Sequence, residues 1–134
     1  MSDRRLVMDA SALVACLLNE RGAATVGRLL RFAVLPAPNV TEAVRTARGK
    51  GHAMTADQLY SRLDVSWSAV EPFRDVDVVR AAEFLRFADD KAGGQLSLGD
   101  ALCITVAERL RLPVVGDDGL WSQLPLEVEF HQFR

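Results

Sequence analysis

Four acidic residues occupy similar places in the sequence, each where a strand is expected to end or a helix to begin. Asp9 directly follows an apolar run, and Asp118 comes shortly after another. Glu42 and Asp100 fall in the first turns of two expected helices. If both helices begin on the carboxyl side of a parallel sheet, the four carboxylates converge on one site.

Converging carboxylates require a cation. Like charges a few ångströms apart raise one another's pKa, and a divalent ion removes that repulsion. Oxygen ligands suit Mg²⁺, with Mn²⁺ as the alternative, rather than zinc. The two histidines, His52 and His131, lie far in sequence from any second ligand with zinc spacing. The residue types therefore predict a Mg²⁺ site in which all four acids are ligands.

Each acid also has a structural explanation. Two of them fit capping boxes, in the segments Asn39-x-x-Glu42 and Ser97-x-x-Asp100. Asp118 belongs to an Asp-Asp-Gly turn sequence. Asp9 could be a turn residue, but an ionised side chain inside an otherwise apolar stretch is costly to bury. The four positions together favour a shared site over four separate structural roles.

The elements that must position these acids alternate along the chain. Short apolar runs predict strands at residues 6–8, 33–35, 68–73, 113–115 and 126–130. Helical periodicity and capping residues predict helices at 11–19, 23–32, 39–48, 55–67, 75–89 and 97–111. Ser11 is the expected cap of the first helix, Thr55 and Gln58 form a capping box, and Pro72 favours an edge strand. Alternating strands and helices imply a parallel sheet covered on both faces, with ligands bound beyond the carboxyl ends of its strands.

The composition is that of a single globular domain spanning residues 1–134. Apolar residues make up 49% of the chain and charged residues 25%, with a formal net charge of −2. These proportions exclude an intrinsically disordered chain. The near-neutral total neither requires nor excludes a nucleic-acid partner, because a basic rim can surround an acidic centre.

The cysteines and the first residues of the chain bear on its compartment. Cys16 and Cys103 lie in apolar, helix-like stretches and are expected to be buried thiols. The segment after Arg4 and Arg5 superficially resembles an export signal, but Asp9 interrupts its apolar run and no small-residue cleavage site follows. No stretch approaches the roughly 18 uncharged residues of a membrane span. We expect a cytoplasmic protein without membrane association.

Four motifs, in this order, resemble those of the PIN-domain family. They are Val7-Met8-Asp9-Ala10-Ser11-Ala12-Leu13, Val40-Thr41-Glu42-Ala43, Leu96-Ser97-Leu98-Gly99-Asp100-Ala101-Leu102 and Leu112-Pro113-Val114-Val115-Gly116-Asp117-Asp118-Gly119-Leu120-Trp121. Their order and spacing, and the length of the chain, resemble the VapC toxin branch of that family. The resemblance covers essentially the whole chain.

This resemblance implies a fold, an activity and partners. The fold is a three-layer α/β/α arrangement with a central, mainly parallel sheet. The activity is that of a Mg²⁺- or Mn²⁺-dependent endoribonuclease, the toxic component of a type II toxin–antitoxin system. The implied partners are an RNA substrate, a VapB-type antitoxin that blocks the site, and a second copy of the toxin in a homodimer. Carried over by position, the family acids are Asp9, Glu42, Asp100 and Asp118, and Ser11 is a hydroxyl residue that supports the site.

The fourth motif departs from the family pattern. Where the family often has Thr-Ala-Asp-Arg, this chain has Gly116-Asp117-Asp118-Gly119. The hydroxyl and the arginine are absent, and Asp117 adds a fifth acid. Alignment on Trp121 favours Asp118 as the family acid, and Asp117 stays open as the alternative.

The expected chemistry is metal-assisted hydrolysis of a phosphodiester. Asp9, Asp100 and Glu42 would hold one ion, and Asp118 would bind a second ion or act through water. Since the motifs contain no histidine or lysine that could act as a general base, a metal-activated water is the expected nucleophile. The first candidates for phosphate contacts follow Glu42 on its helix and exit loop: Arg45, Arg48, Lys50 and His52. Their alternative role is a solvated helix face, and Trp67, Phe73 and Trp121 are expected in the core.

Competing functions differ in the acids they need. A phosphoacceptor receiver domain would need adjacent acids near the first strand and a lysine after Val115, and a haloacid-dehalogenase-type phosphatase would need Asp-x-Asp at the first strand. The sequence has neither pattern. Two alternatives stay open, namely a PIN nuclease that processes RNA without being a toxin, and an inactive PIN-like module that binds RNA or protein.

Overall fold

The computed structural model describes residues 4–64, 69–91 and 95–134. Within these ranges, five parallel strands form one sheet in the order β3-β2-β1-β4-β5. The strands are β1 (Leu6–Met8), β2 (Ala33–Pro36), β3 (Ala69–Glu71), β4 (Val114–Gly116) and β5 (Phe130–Gln132). The predicted parallel sheet is confirmed, and β1 lies at its centre.

In the described part of the chain, six α-helices connect the strands or follow them. They are α1 (Ala10–Leu18), α2 (Ala23–Leu29), α3 (Ala37–Gly49), α4 (Ala56–Asp64), α5 (Val78–Lys91) and α6 (Leu98–Leu110). Short 3₁₀ turns occupy Leu30–Phe32, Asp75–Asp77 and Gly119–Gln123. No helix in the described ranges is both long and apolar enough to cross a membrane.

Two separate cores lie on the two faces of the sheet, because successive strand side chains point in opposite directions. Met8 and Leu35 face one core, which α1, α2, α3 and α4 cover. Val7, Val34 and Val114 face the other core, which α5 and α6 cover. This arrangement is the predicted three-layer α/β/α fold.

The predicted core residues lie where expected within the described ranges. Trp121 is fully buried, and Phe73 is partly buried against the same core. Cys103 is a buried free thiol and Cys16 a half-buried one. Trp67 lies outside the described residues, as does residue 68, the predicted start of the third strand. The described part of that strand is at the sheet edge, and Pro72 follows its last residue.

The predicted last strand, 126–130, begins too early. The strand starts at Phe130, because the chain before it is held by other contacts. The N–H of Glu127 donates to the carboxylate of Glu108 (2.8 Å), and the N–H of Leu126 donates to the carbonyl of Leu124. The alternation of apolar and acidic residues before Phe130 therefore reflects packing of an irregular segment.

Two predicted helix starts are also wrong. The N-cap of α1 is Asp9 rather than Ser11, since the Asp9 carboxylate accepts a hydrogen bond from the N–H of Ala12. Helix α3 begins at Ala37 with Pro36 as its N-cap, so Asn39 and Glu42 form no capping box. A proline in the first turn loses no helical hydrogen bond, which explains the earlier start. The capping box of Thr55 and Gln58 is confirmed.

Candidate active site

An open pocket of about 330 Å³ lies beyond the carboxyl ends of β1 and β4. Its charged lining residues are Asp9, Glu20, Glu42, Lys50, Asp100, Asp117, Asp118 and Arg134. All four predicted acids are among them, and so is Asp117. The parallel sheet places Asp9 and Asp118 at neighbouring strand ends, and helices α3 and α6 bring Glu42 and Asp100 to the same place.

Asp9 is the most buried of these acids, with 4% of its surface exposed. Its Oδ1 atom accepts hydrogen bonds from the Ser11 hydroxyl (2.6 Å) and from the N–H of Ala12 (2.9 Å). The pKa of Asp9 is raised to about 7, chiefly by burial; the two hydrogen bonds lower it, and the nearby charges of Asp117 and Asp100 contribute to the rise. Ser11 therefore supports the site by orienting this carboxylate.

Glu42 reaches from α3 towards the first turn of α6. A Cβ atom at Gly99 would lie 2.7 Å from the Glu42 Oε1 atom, so the carboxylate packs against the glycine. Burial raises the pKa of Glu42, and Asp100 raises it further, whereas Asn39 and Arg45 lower it. The buried Asn39 side chain donates from Nδ2 to the carbonyl of Gly99 (3.0 Å) and so links α3 to α6.

Asp100 combines a structural and a site position. It forms the predicted capping box, in which its N–H donates to the Ser97 hydroxyl (3.1 Å) and its Oδ2 atom accepts from the N–H of Ser97 (3.3 Å). Burial raises the pKa of Asp100, and the charges of Asp118 and Asp117 raise it further. The cap orients the carboxylate at the pocket, so the two interpretations of this acid are compatible.

The two neighbouring aspartates after β4 make different contacts. The Asp118 Oδ1 atom accepts a hydrogen bond from the N–H of Leu120 (2.9 Å) and caps the turn Gly119–Gln123. The Asp117 Oδ2 atom accepts from Nε (3.2 Å) and Nη2 (3.0 Å) of Arg134. Both line the pocket, but only Asp117 has a cation as its partner among the described residues.

The four predicted phosphate-binding residues lie in different environments. Lys50 lines the pocket and pairs with Glu20 (Nζ to Oε2, 3.3 Å). Arg45 lies close enough to Glu42 to lower the pKa of that carboxyl. Arg48 is exposed and does not line the pocket. The Nδ1 atom of His52 accepts from the N–H of Met54, which gives His52 a structural role in its loop.

Sequence reasoning missed Glu20, Asn39 and Arg134 as residues of this site. Arg134 lies 114 positions from Glu20 in the sequence, so no local pattern predicts their ion pair. The pair forms because β5 lies beside β4 in the sheet. Asn39 was predicted only as a capping residue. Its position three residues before Glu42, on one face of a helix, was the available signal.

The donor set suits a hard divalent cation, since it consists of carboxylate oxygens. Burial and mutual repulsion raise the pKa values of Asp9, Glu42 and Asp100. As the side chains stand, no group of three or more Asp, Glu, His or Cys residues in 4–64, 69–91 and 95–134 is spaced to hold a metal ion. The residue types fit a hard divalent ion.

Comparisons with known proteins agree with this architecture. A family model described as "PIN domain" matches residues 6–125. Among solved structures, the chain is similar to Mycobacterium tuberculosis VapC20, described as a sarcin–ricin loop cleaving toxin, with a TM-score of 0.72 and 17% identity over 88% of this chain and 93% of that one. It is also similar to a chain of the DNA-bound VapBC from Salmonella typhimurium, with a TM-score of 0.71 and 10% identity over 98% and 99%. No curated protein sequence matches.

Proposed function

The chain belongs to the PIN-domain family, and we propose that it is a Mg²⁺- or Mn²⁺-dependent endoribonuclease, the toxin of a type II toxin–antitoxin pair. The observation that carries the proposal is the convergence of Asp9, Glu42, Asp100 and Asp118 on one pocket at the carboxyl ends of parallel strands. Ligands of such folds bind at this edge of the sheet.

The charge state of the four acids supports cation binding. None of them forms an ion pair within the described part of the chain, although Lys50 and Arg134 line the same pocket. The pKa values of Asp9, Glu42 and Asp100 are raised. Like charges held together in this way are stabilised by a divalent ion, which is the simplest reason for a protein to keep them.

In the proposed reaction, the four acids hold the cation, with Asp9 fixed by Ser11 and the N–H of Ala12. When bound, a divalent ion activates a water nucleophile and neutralises charge on the scissile phosphodiester. Lys50 lines the pocket and Arg45 lies near Glu42, so both would contact phosphates of the RNA chain, with Arg48 on the same helix as a further candidate. The pocket lining offers no histidine as a general base.

The proposed partners follow from the family and from the relatives. Several similar structures are of VapBC assemblies, including VapBC2 from Rickettsia felis bound to promoter DNA (TM-score 0.69, 15% identity, covering 95% of this chain and 97% of that one). We infer that this chain binds a VapB-type antitoxin, forms a homodimer and acts on RNA in the cytoplasm. A PIN nuclease outside a toxin system is the alternative.

The test measures cleavage of total cellular RNA by the purified chain in Mg²⁺, in Mn²⁺ and in EDTA. We expect cleavage only with a divalent ion, and a loss of about 100-fold or more in Asp9→Asn and Asp100→Asn. Asp57→Asn, an exposed acid on α4, is the matched control and should cleave normally. Full cleavage by Asp9→Asn would overturn the assignment.

Induced expression should arrest growth with the wild type and not with Asp100→Asn, and arrest by neither would favour the non-toxin nuclease.

A further inference from the structure

The charged residues of the pocket divide into two groups. Four of them form a continuous chain of ion pairs, in the order Lys50, Glu20, Arg134 and Asp117. The joining distances are 3.3 Å from Lys50 Nζ to Glu20 Oε2, 3.1 Å from Arg134 Nη1 to Glu20 Oε1, and 3.0 Å from Arg134 Nη2 to Asp117 Oδ2. The two positive and two negative side chains give this series of ion pairs a net charge of zero. The other acids of the lining are the four of the proposed metal site.

The Arg134 guanidinium is held firmly at this place. Its Nε and Nη2 atoms both donate to Asp117 Oδ2, and its Nη1 atom donates to Glu20 and to the carbonyl of Arg21 (3.1 Å). The guanidinium also lies 5.1 Å from the centre of the Phe133 ring, and the side chain is only 20% exposed. All three nitrogens are engaged within the protein, so the side chain is oriented towards Asp117 rather than towards a ligand in the pocket.

Without its ion pair to Arg134, Asp117 would compete with Asp118 for a bound cation. It lines the same pocket as Asp9 and Asp100. Because it follows the same strand as Asp118 and lines the same pocket, it is a fifth acid within reach of a bound cation. The Asp117 Oδ2 atom accepts hydrogen bonds from two N–H groups of Arg134, whereas the Asp118 Oδ1 atom accepts one from a backbone N–H.

We propose that Arg134 is a positioning residue that withholds Asp117 from the metal-binding set, so that the cation meets Asp9, Glu42, Asp100 and Asp118. This inference rests on the proposed metal-dependent function. It assigns the fourth acid to Asp118 and gives Asp117 a different role, the anchor of an internal counter-ion. Glu20 fixes the other side of the guanidinium, and Lys50 neutralises Glu20 in turn.

The test measures Mn²⁺ affinity by titration calorimetry without RNA, so that no cleavage is needed. Removing a fixed positive charge beside a cation site tightens binding, and Arg134→Gln should bind Mn²⁺ about three- to tenfold more tightly than the wild type. Asp117→Asn leaves Arg134 with excess positive charge and should weaken binding by a similar factor. The double variant Arg134→Gln/Asp117→Asn restores the charge balance without either side chain, and we expect its affinity within about twofold of the wild type.

The double variant is decisive, because a lost ligand cannot be restored by charge balance. If Asp117 is a ligand, the double variant binds Mn²⁺ about tenfold or more weakly than the wild type, and the inference is overturned. Weaker binding by Arg134→Gln alone would also overturn it. If Arg134→Gln does not fold, Asp118→Asn must weaken Mn²⁺ binding more than Asp117→Asn does, and the reverse order contradicts the inference.

Two controls separate this inference from the proposed function. Arg80→Gln removes an arginine that pairs with Glu108 outside the pocket and should leave Mn²⁺ affinity unchanged. Asp9→Asn should weaken binding strongly. If Asp9→Asn binds Mn²⁺ like the wild type, the proposed metal site itself is wrong. If it binds weakly and the double variant also stays weak, only the role of Arg134 is wrong.

Discussion

Asp9 shows how one residue can be a helix cap, a buried acid and a candidate ligand at once. Its carboxylate begins α1 by accepting the N–H of Ala12, and the Ser11 hydroxyl holds it in place. Both hydrogen bonds favour the charged form, yet burial outweighs them and raises the pKa to about 7. An asparagine at position 9 could cap the helix equally well and would avoid the free-energy cost of burying a carboxylate. A cation at the site would explain why the residue is an aspartate.

The raised pKa of Asp9 predicts a stability that falls as pH rises. Between pH 4 and 7 the folded protein holds a proton on Asp9 that the unfolded chain has lost, and stability declines with pH wherever the folded state binds more protons. In EDTA, Asp9→Asn should therefore equal the wild type near pH 4 and exceed it at pH 8, by on the order of 4 kcal/mol at most. Urea unfolding at several pH values measures the difference.

Asp57→Asn is the control for this pH series, because its exposed carboxyl lies on α4 outside the pocket. It should show the same decline with pH as the wild type. Glu42 and Asp100 also have raised pKa values, so a smaller decline should persist in Asp9→Asn. Parallel curves for the wild type and Asp9→Asn would contradict the proposed burial penalty.

At the scale of elements, the site depends on how closely α6 approaches α3. Gly99 permits this approach, because the Glu42 carboxylate occupies the space of a side chain at that position. Gly99→Ala should fold, since alanine favours a helix by about 1 kcal/mol and the end of a glutamate side chain can move aside. The displaced Glu42 should then weaken Mn²⁺ binding about three- to tenfold.

Gly27→Ala is the matched control for Gly99→Ala. Gly27 lies within α2, and a Cβ atom there would meet nothing within 4 Å. It should gain a similar helix-propensity contribution to thermal stability with unchanged Mn²⁺ affinity. If calorimetry gives the two variants equal affinities, Glu42 is not a ligand that depends on this contact.

The order and type of the elements could be predicted from sequence, whereas several of their ends could not. Apolar runs and helical periodicity depend on local burial patterns, so β1, β4 and α6 lie close to where the sequence placed them. The start of α3 depends on Pro36, which is its N-cap. The start of β5 depends on the hydrogen bond that the N–H of Glu127 donates to the Glu108 carboxylate. Contacts between distant residues decided these ends, and no local pattern records them.

The same distinction applies to the candidate site. Asp9, Asp118 and Asp100 could be predicted because the first two follow strands and the third opens a helix, and the topology of a parallel sheet brings such positions together. Glu42 was expected in the first turn of its helix and lies in the second, because α3 begins at Ala37. Arg134 could not be predicted, because its partners Glu20 and Asp117 come from other parts of the chain. Alignment on Trp121 favours Asp118 over Asp117, and the different contacts of the two side chains distinguish them further.

At the scale of the whole molecule, the charges that the structure describes are paired at one end of α6 and unpaired at the other. At its last turn, Arg109 pairs with the buried Asp77 (2.9 Å) and with Glu71 (3.3 Å). At its first turn, Asp100 faces the other unpaired acids of the pocket. A net charge of −2 therefore conceals a local concentration of negative charge. Such a site costs stability when empty and recovers it when a cation binds.

This coupling predicts that a divalent ion stabilises the entire fold. The four acids come from the carboxyl ends of β1 and β4, the second turn of α3 and the first turn of α6, so the site exists only when the whole sheet is assembled. Binding to the folded state alone adds about 2.7 kcal/mol at a Mn²⁺ concentration 100 times the Kd, which raises the Tm by about 5–15 °C for a domain of this size. Thermal unfolding in EDTA and in Mn²⁺ should show this shift in the wild type and in Asp57→Asn, and little of it in Asp100→Asn. An equal shift in Asp100→Asn would mean that Mn²⁺ stabilises the protein elsewhere.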